Sequence, residues 1–280
     1  MTAIIMYLLI FSRQLNRMDG RTIPKITHQI WLQGWKSLPP KFKGNVESLR
    51  TLNPGYTHMV WDEKTLREEC RKLFPAVLAK FDSLPYLVQK VDFGRLVVLY
   101  TYGGISVDTD MKSLKAIDTT PKIDTAELII SLSAFPSSLL AYTNNAIVLA
   151  KPHHHLILEL ITRMTNLSSK ESDFLTKELY ISHTTGPVIQ NKFFHEHSGE
   201  IIFLENKYYE PCFSTDPVCA PSKESIMDHK HEMSWVSPGM KVFLKSMIGL
   251  LYILLYSIPI GIVYLAYIRF AGKKQIFPTR

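Results

Sequence analysis

The sequence predicts an α/β domain on a mostly parallel central sheet, followed by a C-terminal transmembrane helix. Strand-like apolar runs alternate with helix-like ones along about 220 residues, enough chain to bury a full core. Residues 246–268 then give 23 residues without a charge, S-M-I-G-L-L-Y-I-L-L-Y-S-I-P-I-G-I-V-Y-L-A-Y-I, and a spanning helix needs about 20. The chain divides on these grounds into a short apolar N-terminal segment (1–20), a main domain (21–240), a transmembrane helix (241–270) and a basic tail (271–280).

Strands are expected over 25–31, 56–61, 105–108, 127–132, 146–150 and 201–204, and helices near 63–73, 84–102, 153–166 and 187–196. The first strand places His28 between Ile26 and Ile30, as a packed core or cleft histidine. Residues 84–102 read as a helix capped near Ser83 and Pro85 and stopped by Gly103 in the left-handed conformation. On it Gln89, Asp92 and Arg95 recur every three residues, so Asp92 and Arg95 face one region. After Gly103-Gly104 the next strand carries Asp108 and Asp110. Strand side chains alternate faces, so the two carboxylates point the same way and repel unless a cation lies between them. A hard divalent ion answers that repulsion. The bland reading of a D-x-D alone is a solvated turn.

Several separated blocks resemble the DXD-type glycosyltransferase family 32, which includes fungal Golgi mannosyltransferases and inositol phosphorylceramide mannosyltransferases. They are Ile23-Pro-Lys-Ile-Thr-His-Gln-Ile-Trp31, Asn53-Pro-Gly-Tyr-Thr-His-Met-Val-Trp-Asp62, the series Lys90, Asp92, Arg95, Gly103, Gly104, Asp108, Asp110, then Asn144-Asn145 with Lys151-Pro-His, Thr185-Gly-Pro187, and His229 to Trp235. Together they span roughly residues 23 to 235. Ser106 stands where the family more often has an aromatic, and Lys230 splits its frequent histidine pair.

The resemblance implies a nucleotide-sugar-binding domain of the GT-A type that retains anomeric configuration and uses a divalent metal, manganese first and magnesium second. Asp108, Asp110 and His229 would hold the metal, His229 being favoured over His231 by its spacing to Trp235. Arg95 would supply fixed positive donors, Asp92 would accept hydrogen bonds from sugar hydroxyls, and Asn144 or Asn145 would orient donor or acceptor. Trp31 matches an aromatic that lies against the nucleotide base, and plain core packing serves equally well. The implied partners are a nucleotide sugar, GDP-mannose or a UDP-hexose, and a lipid or glycan acceptor. The sequence leaves open a non-catalytic glycan- or lipid-binding membrane protein and a metal-dependent phosphodiesterase, the latter needing a richer His/Asp set.

Other classes lack their signatures. No G-x-G-x-x-G or G-x-x-x-x-G-K-[ST] occurs, so the glycine cradles of dinucleotide and P-loop sites are missing. The net charge of +7 is dispersed without a nucleic-acid motif and suits anionic lipids and an anionic donor. His195 and His197 lack H-E-x-x-H spacing, and His153-His154-His155 reads as a solvated helix start. Of three cysteines, Cys212 and Cys219 lie near enough to bridge in an oxidising lumen, leaving Cys70. Thr2 to Phe11 is a weak signal sequence, a short anchor or a first strand. Lys241 and Lys245 precede the long apolar run and Arg269, Lys273, Lys274 and Arg280 follow it, which favours a cytoplasmic C-terminus and a luminal domain in the secretory pathway, the Golgi included. Asn166-Leu-Ser168 would then be a usable glycosylation sequon.

Overall fold

The computed structural model describes residues 22–134, 137, 141–213 and 219–274, with the side chains of 252, 255, 256, 260 and 270–274 left aside. The N-terminal segment 1–20 and the end of the basic tail therefore lie outside the described residues. One compact unit runs to Glu232 and a second from Met233.

In the first unit the strands are β1 (Ile26–Ile30), β2 (Thr57–Trp61), β3 (Gly104–Val107), β4 (Met111–Ser113), β5 (Leu128–Leu132), β6 (Thr143–Ala150), β7 (Ile202–Leu204) and β8 (Met227–His229). The helices between them are α1 (Pro40–Leu52), α2 (Glu63–Leu73), α3 (Pro75–Ser83), α4 (Leu87–Tyr102), α5 (His155–Asn166), α6 (Lys177–Thr184), α7 (Pro187–Glu196) and α8 (Asn206–Tyr209). Six strands form one sheet in the order β2-β1-β3-β6-β5-β7, and β4 pairs with β8 apart from it. In the large sheet β6 alone runs against the others, so the sheet is mixed and mostly parallel.

Strands buried on both faces read as continuous apolar runs, which is why Ile147 to Ala150 carries no polar residue. Val148 and Ala150 join the core beneath α4, α5 and α7, while Ile147 and Leu149 pack with Ile105, Val107 and Tyr209 on the other face. α2 falls where a helix near 63–73 is expected, and Asp62 caps its start, Oδ1 accepting from the Thr65 N–H at 2.9 Å. The expected helix start at Ser83 and Pro85 needs correction. Residues Pro75 to Ser83 form a separate helix, and α4 begins after Tyr86, whose N–H donates to Gln89 Oε1 at 3.3 Å. His154 also differs from the solvated start expected for it: it is buried and caps α5, Nδ1 accepting from the Leu156 N–H at 3.2 Å.

Gly103 and Gly104 set the join between α4 and β3. Their φ values are +64° and +97°, and a Cβ on Gly104 would sit 2.4 Å from the carbonyl oxygen of Ile26 in β1. Only glycine allows both the turn and that approach. His28, fully buried on β1, fixes the same join from below. Its Nε2–H donates to Gly103 O at 2.7 Å, and its Nδ1 accepts from Trp61 Nε1–H at 3.2 Å. Burial pushes its pKa down to about 4 against the pull of the Gly103 bond.

In the second unit the long apolar run lies in one helix, α9 (Pro238–Lys274), with Pro259 inside it. Among the described residues no helix is long and apolar enough to cross a membrane, so the expected transmembrane helix is not supported by them. Several members of the run, 252, 255, 256 and 260, are among the side chains left aside.

Two outcomes follow for this frame. Gly104→Ala should cost at least about 2 kcal/mol of unfolding free energy in urea titration, because the left-handed backbone and the close carbonyl penalise a Cβ together. The unfolded chain protonates His28 near its ordinary value of 6.5 and the folded chain only near 4, so stability should fall as pH drops through that window. The loss is capped at roughly 3 kcal/mol, and His28→Gln should flatten it.

Candidate active site

The parallel strands bring their C-terminal ends to one edge, and the reversed strand β6 starts there. Helix α4 brings Asp92 and Arg95 to this edge on one face, three residues apart, as expected from their spacing. Asn145 of β6 joins them. Its Nδ2 donates to Asp92 Oδ1 at 2.8 Å, and its carbonyl accepts a short bond from Arg95 Nη1. Against β5 the register of β6 slips between Ile130 and Ser131, whose partners are Val148 and Asn144. Such an irregularity re-aims side chains, and this one falls at Asn145.

Asp108 and Asp110 do not lie on a strand, which corrects the basis on which they were paired. β3 ends at Val107, and the next residues turn, with the Asp108 N–H bonded to Ala146 O at 2.9 Å and the Met111 N–H to Asp108 O at 3.2 Å. The turn gives each carboxylate its own cationic partner. Asp108 Oδ1 accepts from Arg95 Nη2 at 2.5 Å, while Asp110 Oδ2 lies 3.3 Å from His229 Nε2 and accepts the Glu232 N–H at 3.0 Å. β8 delivers His229 because it pairs with β4, Met111 lying opposite His229.

The charges are strongly coupled. Burial raises the Asp92 carboxyl to about 7, with Arg95 pulling it down and Asp108 pushing it up. Burial also raises Asp108, against Arg95 and with the help of Asp110. For Asp110 burial is the largest single influence and acts upward too, but His229, the Glu232 N–H and His231 together outweigh it and hold the group down at about 2. Burial disfavours charge on His229, yet Glu210 and Asp110 on its two sides keep its pKa well above the ordinary value. His231 is pushed down to about 4 by burial and by His229.

Two residues were not singled out from sequence. Glu210, fully buried, accepts His229 Nδ1–H at 2.7 Å, and its Oε2 lies 3.3 Å from His231 Nε2. Nothing in the run Lys207-Tyr-Tyr-Glu-Pro211 marks it except an acid set among aromatics. Thr184 follows the same pattern, its hydroxyl accepting from Gln89 Nε2 at 2.8 Å. Thr185, noted only as part of Thr185-Gly-Pro187, places its hydroxyl 3.4 Å from Asp92 Oδ2. Trp31 lies just past β1, half-buried against Phe42, with Nε1–H bonded to Ser37 Oγ at 3.0 Å. Asn144 turns its Oδ1 to the Ala146 N–H at 2.8 Å, away from the Asp92 contact that Asn145 makes. His195 bonds Ala141 O and His197 pairs with Glu159, so neither joins the cluster. Cys212 and Cys219 form a disulfide, and Cys70 is free and buried.

The donor set suits a divalent ion: two carboxylates and an imidazole are hard-to-borderline ligands. Ligand atoms of Glu210, His229 and His231 also lie within 4.8 Å of one another, and Glu210 Oε2 is buried without a hydrogen-bond donor. Arg95 Nε is likewise buried without an acceptor.

Residues 39–127 match the family model for the glycosyltransferase sugar-binding region containing the DXD motif. Inositol phosphoceramide mannosyltransferase 3 of Schizosaccharomyces pombe is 28% identical over 179 residues, 64% of this chain and 47% of that protein. An uncharacterized glycosyltransferase of Acanthamoeba polyphaga mimivirus is 27% identical over 229 residues, covering 79% and 86%. The chain spans about half the length of the Schizosaccharomyces pombe relatives it matches. Among solved structures the PaToxG glycosyltransferase gives a TM-score of 0.48 at 16% identity, covering 68% of this chain and 80% of the other. Over residues 39–127 the chain is thus similar to the DXD-containing sugar-binding region of glycosyltransferases.

The electrostatics can be measured directly. Carbon-13 NMR of the Asp92 carboxyl should show a midpoint near 7. Arg95→Met should move it higher still, because the guanidinium is the foremost influence lowering it, whereas a midpoint near 4 in either protein would contradict the coupling.

Proposed function

We propose that this chain, a relative of the DXD-type glycosyltransferases, is a membrane-anchored, metal-dependent, retaining hexosyltransferase that moves mannose from a nucleotide sugar to a lipid-linked acceptor such as inositol phosphorylceramide. The observation that carries the reading is the meeting of Asp92, Arg95, Asn145 and Asp108 at one sheet edge, with Asp110 and His229 beside them. Ligands in open α/β sheets bind at such an edge.

Asp108, Asp110 and His229 hold a divalent ion in this reading, manganese in preference to magnesium, which would neutralise the diphosphate as it departs. The rest falls to the chain's own side chains. Arg95, immobilised by Asn145 and Asp108, presents a fixed cation whose Nε is still unused, at no cost of reorganisation. Asp92, oriented by Asn145 and Thr185, accepts hydrogen bonds from sugar hydroxyls and so fixes the ring. By the family resemblance Trp31 would meet the nucleotide base and Asn144 would steer donor or acceptor. Retention follows from the family resemblance, with the departing phosphate taking the acceptor proton.

The lipid acceptor and the mannosyl group draw support from the Schizosaccharomyces pombe relatives, which are named inositol phosphoceramide mannosyltransferases. The uncharged run 246–268 and its basic flanks support anchoring, with the tail cytoplasmic and the catalytic unit in a Golgi or other secretory-pathway lumen. A segment that follows His229 so closely in sequence tethers the unit at the bilayer surface, where a lipid headgroup is met.

The decisive assay is a panel of GDP-mannose and UDP-hexoses with and without Mn2+, reading nucleoside diphosphate release and then product mass on inositol phosphorylceramide. Release should need the metal, and Asp108→Ala/Asp110→Ala should lower it by at least about 100-fold. Full activity in that double variant would refute the reading. Release of nucleoside monophosphate would instead identify a phosphodiesterase.

A further inference from the structure

We infer that Glu210 is a positioning residue that selects His229, and not its neighbour His231, as the imidazole facing the DXD turn. This rests on the reading in which Asp108, Asp110 and His229 hold a divalent ion. Glu210 follows α8, where its N–H is bonded to Asn206 O at 2.7 Å, so its backbone is fixed before its side chain acts. Its carboxylate is wholly buried, and its described ion-pair partners are the two histidines. A carboxylate withdrawn from water is costly unless hydrogen-bonded, and here the bond it makes is to His229 Nδ1–H at 2.7 Å.

That bond decides what the other side of the ring can do. With Nδ1 committed as donor, Nε2 is left for the opposite side, 3.3 Å from Asp110 Oδ2. A carboxylate behind a histidine fixes its tautomer and ring orientation and raises its basicity as a ligand. His231 meets the same carboxylate only at longer range, its Nε2 lying 3.3 Å from Glu210 Oε2 with no hydrogen bond between them. Its Nε2 is turned to Cys212 O at 3.1 Å, and its ring lies against Phe213 at 4.7 Å and against His229 at 4.0 Å. It packs beside His229, and the residue whose carbonyl it bonds is held in the Cys212–Cys219 disulfide.

The test compares Mn2+ affinity, by electron paramagnetic resonance of free Mn2+, in the full chain in detergent and in Glu210→Met, Glu210→Gln, His231→Gln and Asp110→Asn. Glu210→Met keeps the volume and loses the acceptor, so affinity should fall about 10- to 100-fold. Glu210→Gln keeps a carbonyl for Nδ1–H and should recover most of that loss, and His231→Gln should change affinity less than Glu210→Met. Nitrogen-15 NMR of the Mg2+-loaded chain should show His229 protonated at Nδ1 in the unsubstituted protein and in Glu210→Gln. Loss of that tautomer in Glu210→Gln overturns the assignment even if Glu210→Met does not fold. Mn2+ binding that Asp110→Asn weakens while Glu210→Met leaves it within about twofold removes this inference alone. Binding lost in Glu210→Met but untouched in Asp110→Asn makes Glu210 itself a ligand and also overturns it. Failure of the unsubstituted chain to bind Mn2+ removes the metal reading and this one together.

Discussion

The approach of Gly104 to the carbonyl of Ile26 is the constraint on which the site depends. A Cβ there would meet that oxygen at 2.4 Å, so the chain can reverse at this point only without one. The reversal brings the end of a buried helix directly against the first strand of the sheet. Asp92 and Arg95 ride on the helix and Asp108 leaves the strand, so their meeting is fixed by backbone geometry before any side-chain charge is considered. His28 locks the same join through Gly103 O. It does so as a neutral ring with both nitrogens used, which suits a core position better than a charged one.

Around that join the ion pairs organise one another. Arg95 is nearly fully buried and would be costly alone, yet it touches both Asp108 and the carbonyl of Asn145. Asn145 in turn supports Asp92, so the four residues behave as one unit. Such networks are rigid when satisfied and expensive when broken. Asp110 belongs to a separate pairing with His229 and Glu210, and the DXD turn is the link between the two.

Much of this was legible in the sequence because it depended on local pattern. The apolar runs located β1, β2, β3, β5, β6 and β7, and the three-residue spacing of Asp92 and Arg95 put them on one face. The double glycine marked the reversal for a reason that steric argument supplies. What escaped was non-local. The strand assumed for Asp108 and Asp110 became a turn because β3 ends at Val107 and the chain swings to pair β4 with β8, a contact between residues more than a hundred positions apart. Glu210 was invisible for the same reason, since its partner lies in β8 and no spacing rule connects them. Helices α1, α3, α6 and α8 were missed: α1 and α3 begin at prolines that read as loops, α6 follows a polar stretch, and α8 is only four residues long.

The Cys212–Cys219 bridge closes a short loop immediately after Glu210, in a part of the unit whose strands β4 and β8 are three residues each. So small a ladder gives that corner little cohesion of its own, and a covalent staple limits how far the unfolded chain can stray from it. Maturation of the acidic-histidine corner is thereby tied to thiol oxidation. A chain folding where glutathione keeps cysteines reduced would lack that bracing beside Glu210 and its two histidines.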